Sequence, residues 1–73
     1  MHIEVRLFAT LRKGRFKRET FEYESSTPAH ILSQLNIPHE DVAILLVNGR
    51  DGSFDQPLND GDTVSIFPPV GGG

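Results

Sequence analysis

The chain has 73 residues, no cysteine and a formal net charge of −3, from 10 acidic and 7 basic side chains. A domain of this size buries only about 60% of its unfolded surface, too little to enclose a large pocket beside a core, which argues against a self-contained enzyme. The absence of thiols excludes disulfides and thiolate metal sites, and the acidic balance argues against nucleic-acid binding.

The hydropathy of the chain predicts a protein without membrane contact. No apolar window reaches the roughly 18 residues that a membrane-spanning helix needs. The N-terminal segment MHIEVRLF lacks the apolar stretch and the small-residue cleavage site of a signal peptide. We therefore expect a cytoplasmic location and no membrane partner.

The first third of the sequence predicts a β-hairpin. Residues 2–8, HIEVRLF, alternate between apolar and polar side chains, which is the period of a half-buried strand. Residues 19–24, ETFEYE, alternate in the same way. Gly14 lies in the connection between them, and the length of this connection indicates a loop longer than the two-residue kind.

The segment STPAHILSQLN predicts one short helix of roughly nine or ten residues, because its apolar residues recur at helical spacing. Thr27 fits the N-cap position and Pro28 the first helical position. Asn36 suits the end of the helix, and Pro38 prevents its continuation. The apolar stripe consists of Pro28, Ile31, Leu32 and Leu35.

The second half of the chain predicts further strands separated by turns. The near-continuous apolar run at 42–47 is typical of a central strand. NGRDG at 48–52 and PLNDGD at 57–62 have turn chemistry, with a short strand expected at 53–55 between them. TVSIF at 63–67 alternates and predicts the last strand, which the two following prolines end.

The order strand, strand, helix, strand, short strand, strand predicts an α+β domain with the helix on one face of the sheet. If the last strand lies beside the first, the two run parallel, and the segment after it leaves from one end of the sheet. We expect a folded domain over residues 1–67 and a flexible C-terminal tail over residues 68–73, which carries the terminal Gly-Gly.

Two stretches of the sequence resemble a known family. LFATLRK at 7–13 resembles a first-strand pattern of Phe-Ala-x-Leu-Arg. PLNDGDTVSIFPPVGGG at 57–73 resembles a closing pattern of Pro-Leu, Asp-Gly-Asp, an alternating strand, Phe-Pro-Pro-Val, a small residue and a terminal Gly-Gly. These are the patterns of the ubiquitin-like sulfur carriers of MoaD type, the small subunit of molybdopterin synthase, which are related to the ThiS-type carriers.

This resemblance implies a β-grasp fold, a mixed sheet of four to five strands packed on one helix. It also implies that an adenylating, E1-like enzyme uses ATP to activate the carboxylate of Gly73, next to Gly72, and that sulfur from a donor protein converts it to a thiocarboxylate. The large subunit of molybdopterin synthase would then take the sulfur. The chain itself would be a monomer when free, bind no cofactor and have no catalytic activity alone.

The same resemblance implies a partner-binding surface around the start of the tail. Phe8 and Phe67 alternate out of step with their inward neighbours, so we expect them on the open face of the sheet, where exposed aromatic residues often mark an interface. Packing against the helix ends or loop residues is the alternative. The expected contact residues are Phe8, Phe67, Pro68, Pro69, Val70 and Gly71.

Several other functions remain open at this stage. A sulfur carrier for the thiazole of thiamine would share the fold, tail and activation, although the Phe-Pro-Pro sequence favours the molybdopterin carriers. A pathway to a tungsten cofactor would look the same. A ubiquitin-like modifier would be joined through Gly73 to lysines of other proteins, and a plain interaction domain would make no chemical use of the tail.

The remaining charged residues have simpler interpretations. Five basic residues fall in one run, which we interpret as a solvated hairpin loop, with docking of an acidic partner or of nucleic acid as alternatives; they are Arg12, Lys13, Arg15, Lys17 and Arg18. The three histidines, His2, His30 and His39, show no metal-ligand spacing and are expected at the surface. Asp60 and Asp62 lie in a turn, where capping of backbone N–H groups is expected rather than acid–base chemistry.

Overall fold

The computed structural model describes residues 1–70. Its elements in chain order are β1 (His2–Leu7), a 3-10 helix (Ala9–Arg12), β2 (Arg18–Glu22), α1 (Pro28–Gln34), a second 3-10 helix (His39–Asp41), β3 (Ile44–Val47), β4 (Arg50–Asp51) and β5 (Thr63–Phe67). The five strands form one sheet in the order β2-β1-β5-β3-β4. β1 and β5 are parallel, and the other neighbouring strands are antiparallel.

The core lies between one face of this sheet and α1. The alternating residues of β1 and β5 predicted to point inward, Val64 and Ile66 among them, are fully buried. Ile31 and Leu32 of α1 cover them and are also fully buried. The expected α+β architecture, with a parallel pair at the centre of a mixed sheet, is therefore confirmed, and the other face of the sheet carries no helix within residues 1–70.

The helix begins as predicted but is shorter than expected. The Thr27 side chain accepts a hydrogen bond from the His30 N–H at 3.2 Å, and Pro28 occupies the first turn. Regular helix covers only the 7 residues Pro28–Gln34. Asn36 has a φ of 58°, a left-handed conformation that an α-helix cannot continue and that asparagine tolerates.

The prediction of a short strand at 53–55 was wrong, because the strand lies at Arg50–Asp51. Asn48 and Gly49 have φ values of 54° and 80°, so they form the two-residue turn of a tight hairpin, and the strand resumes at once in β4. Ser53 instead begins a turn, in which its N–H donates to the Gln56 side chain at 2.8 Å. The loop after β1 also contains the 3-10 helix Ala9–Arg12, which the sequence pattern did not predict.

Candidate functional site

The described part of the tail leaves the sheet where the two central strands end. The Phe8 N–H, directly after β1, donates to the Ile66 carbonyl of β5 at 3.2 Å. On the other side of β5, the Ala43 N–H donates to the Phe67 carbonyl at 2.8 Å. The backbone is therefore held on both sides up to Phe67, and the two prolines that follow cannot extend the ladder because they lack an N–H group.

Phe8 and Phe67 contact each other at this end of the sheet. Their rings stack with centroids 4.1 Å apart and an angle of 12° between the planes. Both are half-buried and lie on the face opposite the helix, as their alternation with buried neighbours requires. The stack stabilises the backbone position from which the tail begins, because an aromatic pair adds about 0.5–1.5 kcal/mol of stability beyond that from its buried area.

Apolar side chains continue the surface on both sides of this stack. Ile44, at the start of β3, pairs with Phe67 in the ladder and is 49% exposed, and Val70 is 95% exposed. We call the set the tail-exit patch, defined as Phe8, Ile44, Phe67, Pro68, Pro69 and Val70. It lines an open depression of about 440 Å³, to which Ala9 and Thr10 also contribute.

Ile44 is the member of this patch that the sequence interpretation missed. The apolar run at 42–47 predicted a central strand, and β3 does lie inside the sheet, but of its residues only Leu45 and Val47 are buried. Ile44 and Leu46 point to the open face instead. An uninterrupted apolar run on a sheet with one bare face is the signal that could have indicated a docking surface, since a strand with only one covered face usually alternates.

Part of the basic run has a structural role. Arg15 donates to three carbonyls, those of Leu11 at 3.2 Å, Leu35 at 3.1 Å and Asn36 at 3.2 Å, and so ties the hairpin loop to the end of the helix. Arg12 donates from Nε to the Leu7 carbonyl at 2.8 Å. By exposure, four of the five basic residues fit the expected description of a solvated loop, namely Lys13, Arg15, Lys17 and Arg18, whereas Arg12 is half-buried.

The two carboxylates expected to cap backbone N–H groups, Asp60 and Asp62, do so. Asp60 Oδ1 accepts from the His2 N–H at 2.6 Å, and this hydrogen bond is the main cause of a lowered pKa of Asp60. Asp62 accepts from the Asn59 N–H at 2.8 Å and from the Asn48 side chain at 2.8 Å. Asp62 thus bonds to the turn it lies in, whereas Asp60 ties that turn to the start of β1, and both lie at the end of the sheet opposite the tail.

The three histidines are all exposed, as expected. Within residues 1–70, no group of three or more histidine and carboxylate side chains is arranged to hold a metal ion. In the same part of the chain, no helix is long and apolar enough to cross a membrane. The expected reactive residues, Gly72 and Gly73, and the expected contact residue Gly71 lie outside the described residues.

The chain is similar in sequence to known proteins. A profile of the ThiS family matches residues 5–73. Small archaeal modifier protein 3 of Haloferax volcanii is 29% identical in an alignment of 92 positions, gaps included, which covers 100% of this chain and 100% of that protein.

Two solved structures illustrate the similarity of the fold. A Pyrococcus furiosus protein assigned as molybdopterin converting factor subunit 1 has a TM-score of 0.76 at 31% identity, covering 96% of this chain and 99% of that one. A chain in the complex of subunits 1 and 2 of the Helicobacter pylori molybdopterin-converting factor has a TM-score of 0.65 at 24% identity, with 100% of both chains covered. These likenesses confirm the β-grasp fold.

Proposed function

Because the chain belongs to the ThiS family, which groups ubiquitin-like sulfur carriers and small modifiers, we propose that it is a sulfur carrier for molybdopterin synthesis. In this proposal, the carboxylate of Gly73 is adenylated by an E1-like enzyme and converted to a thiocarboxylate. The chain then acts as the small subunit of molybdopterin synthase and gives its sulfur to the substrate that the large subunit holds. The domain supplies binding, and its partners supply the catalysis.

The observation that carries the proposal is the position of the tail-exit patch. Phe67 belongs both to the ladder and to the aromatic stack, and the tail begins directly after it. A partner that covers the patch therefore has the tail beside its own surface. The six residues of segment 68–73 can span at most about 20 Å when extended. That reach is enough for the carboxylate to enter an active site while the domain stays outside it.

The chemistry explains why an activating partner is needed. A terminal carboxylate is ionised at neutral pH and is a poor electrophile. Its oxygen attacks the α-phosphorus of ATP, and pyrophosphate leaves, which gives an acyl-adenylate. Hydrosulfide, or an equivalent sulfur nucleophile from the donor, then attacks the acyl carbon and AMP leaves. Glycines at positions 72 and 73 suit a narrow channel around this carbon, since they have no Cβ.

Three observations support the choice of the molybdopterin pathway among the sulfur-carrier pathways. The Pyrococcus furiosus structure with 31% identity bears the name of a molybdopterin converting factor subunit 1. In the Helicobacter pylori structure, a protein of the same fold is in complex with a second subunit, as the proposal requires of this chain. The Phe-Pro-Pro sequence before the glycines also fits this pathway better than synthesis of the thiamine thiazole.

A second candidate function is that of a ubiquitin-like modifier. The matched relative in Haloferax volcanii is named a small archaeal modifier protein, and it covers the whole of this chain. Conjugation would use the same adenylate of Gly73, but a lysine amine of another protein would attack it instead of sulfur. The two functions therefore differ only in the nucleophile.

Intact-mass spectrometry tests the proposal. Incubation with the adenylating enzyme of the same genome, ATP and sulfide should raise the mass by about 16 Da, the difference between sulfur and oxygen. One alanine appended after Gly73 should abolish the gain because it moves the carboxylate, and Gly73→Ala should slow it by adding a methyl group. The control is Ser33→Ala at an exposed position of α1, where the gain should persist.

The outcomes separate the candidates. A mass gain followed by sulfur transfer to the synthase supports the carrier. Conjugates of higher mass, linked from Gly73 to lysines and lost in the variant with the appended alanine, support the modifier. If the enzyme forms neither an adenylate nor a thiocarboxylate, and the appended variant still complements a deletion strain, the proposal is wrong.

A further inference from the structure

A second depression adjoins the tail-exit patch on the open face of the sheet, and its lining is strongly basic. We call it the cationic depression, defined as Arg6, Phe8, Arg12, Lys17 and Arg18, and its volume is about 250 Å³. Phe8 belongs to both sites. Four cations thus surround one small hollow in a chain whose net charge is −3.

Two of these cations face each other across the first hairpin. Arg6 of β1 pairs directly with Arg18 of β2 in the antiparallel ladder. Like charges at directly opposite positions destabilise a strand pair, so this arrangement costs the free domain some stability. Arg6 has one counter-charge, the carboxylate of Glu4, which its Nε contacts from two residues away on the same face. One carboxylate against four cations leaves the depression with a large positive excess.

Arg12 is held in place without being neutralised. Its Nε donates to the Leu7 carbonyl at 2.8 Å, and its guanidinium carbon lies 5.4 Å from the centroid of the Phe8 ring. A carbonyl and an aromatic face orient a guanidinium but carry no net charge. An arginine that is already oriented loses less entropy when it binds a carboxylate, for which its planar fork is suited.

Lys17 and Arg18 complete the rim and are exposed. Within residues 1–70, the ion pairs are those of His2 with Asp60 and of Arg6 with Glu4, so neither of these two side chains has an acidic partner in that part of the chain. The backbone of Lys17 is fixed, because its carbonyl accepts from the Leu7 N–H at 3.0 Å. The rim therefore presents these two cations from an ordered backbone beside the apolar patch.

We propose that the cationic depression binds an acidic segment, carrying aspartate or glutamate side chains, of the adenylating enzyme that receives the tail. The inference rests on the proposed function, because it names the chemistry of that partner's surface. Continuity supports it: a surface that covers Phe8 from the side of the tail-exit patch extends directly over the depression. A protein fits this position better than a nucleic acid, since Ile44, Pro69 and Val70 of the tail-exit patch offer neither a charge nor a hydrogen-bond donor to a phosphate backbone.

The expected role of the ion pairs is to steer and orient the partner. Complementary charges at the rim of an interface mainly raise the association rate and fix the orientation of docking, whereas buried apolar contacts slow dissociation. In this arrangement, the tail-exit patch holds the partner and the cationic depression sets the angle at which the tail enters.

Lys17→Glu and Lys13→Glu form a matched pair for testing this inference. Both lysines are exposed in the same loop and both substitutions change the net charge equally, but only Lys17 lines the depression. Lys17→Glu should raise the Kd for the adenylating enzyme about tenfold or more at low salt, because the new glutamate would repel the acidic side chains of the enzyme. Lys13→Glu should leave it within about twofold, and added salt should weaken the wild type more than Lys17→Glu.

A second measurement makes no use of the adenylating enzyme. NMR titration with a polyglutamate peptide should shift the amide signals of Arg6, Phe8 and Arg18, and Lys17→Glu should suppress these shifts. Shifts absent at millimolar peptide, or spread equally over Lys13, would overturn the inference. Tighter binding of tripolyphosphate or a single-stranded oligonucleotide at the same amides would also overturn it, in favour of a phosphate ligand.

The two proposals fail separately. If the wild type gains sulfur in the mass experiment and the two lysine variants bind the enzyme alike, the acidic partner surface is wrong and the carrier function stands. If the wild type gains no sulfur while polyglutamate still maps to the depression and Lys17→Glu suppresses it, the carrier function is wrong and the acidic ligand stands.

Discussion

Truncation of Ile44 to alanine should weaken partner binding, and the loss of binding free energy can be worked out from the exposed fraction of Ile44. Full burial of an isoleucine side chain contributes about 1.5–3 kcal/mol. The side chain is 49% exposed in the free domain. A partner that covers the tail-exit patch can therefore gain about half of that figure, roughly 0.7–1.5 kcal/mol, which corresponds to an increase in Kd of about 3- to 13-fold.

The buried part of Ile44 should contribute a similar amount to the free energy of unfolding. Ile44→Ala is thus expected to lower it by about 0.7–1.5 kcal/mol, measured by urea unfolding at an unchanged m-value. Calorimetric titration with the adenylating enzyme or the synthase large subunit gives the Kd. Most of the domain stays folded at this loss, so both quantities can be measured on the same variant.

Leu35→Ala is the matched control for this substitution. Leu35 is also partly buried, but it packs against the core from the end of α1, on the other side of the sheet. It should lose stability to a comparable extent and leave the Kd unchanged. If Ile44→Ala loses stability while its Kd stays within twofold of the wild type, the partner does not cover the patch and the argument from exposure fails.

Three further substitutions test the fold that presents the site. Ile66→Ala should lower the free energy of unfolding by about 2–5 kcal/mol in urea, because Ile66 is fully buried; a loss below 1 kcal/mol would contradict its place in the core. Gly52→Ala would place a Cβ 2.7 Å from Cγ2 of Val47, so the free energy of unfolding should fall by about 1–3 kcal/mol, measured by thermal unfolding. Unchanged stability would mean that the neighbouring side chains move aside at no cost. The hydrogen bond from the His2 N–H lowers the pKa of Asp60 in the folded state. The ionised carboxylate therefore stabilises the fold fully above the ordinary carboxyl pKa, and this contribution is lost as the pH falls through the lowered folded-state pKa. The difference in unfolding free energy between wild type and Asp60→Asn should accordingly be constant near neutrality and shrink in acid, and a difference that grows in acid would reverse the assignment.

Local patterns in the sequence predicted much of the fold because they follow from local physics. Alternation identified β1 and β5, and their inward residues Val64 and Ile66 are fully buried. The N-cap at Thr27 and the helix end near Asn36 were also correct, since both depend on residues within one turn. The parallel direction of the first and last strands was predicted on the condition that they are neighbours, and the structure pairs them.

Features that depend on distant neighbours were harder to predict. The short strand was placed at 53–55 because NGRDG looks like an uninterrupted turn, whereas a two-residue turn at Asn48 and Gly49 is enough to reverse the chain. The exposure of Ile44 depends on whether a second layer covers that face of the sheet. The Arg6–Arg18 pair needs the register of the hairpin, which the loop length did not fix.

The place of the first and last strands side by side at the centre of the sheet has a consequence for biosynthesis. β1 is made first, yet on one side it has no partner until β5 is complete, and the core lacks Val64 and Ile66 until then. A chain that stops short of β5 leaves its apolar residues exposed and becomes a substrate for chaperones and proteases. Any folded molecule has therefore been synthesised at least through Phe67, so that folding itself selects chains that have reached the start of the tail.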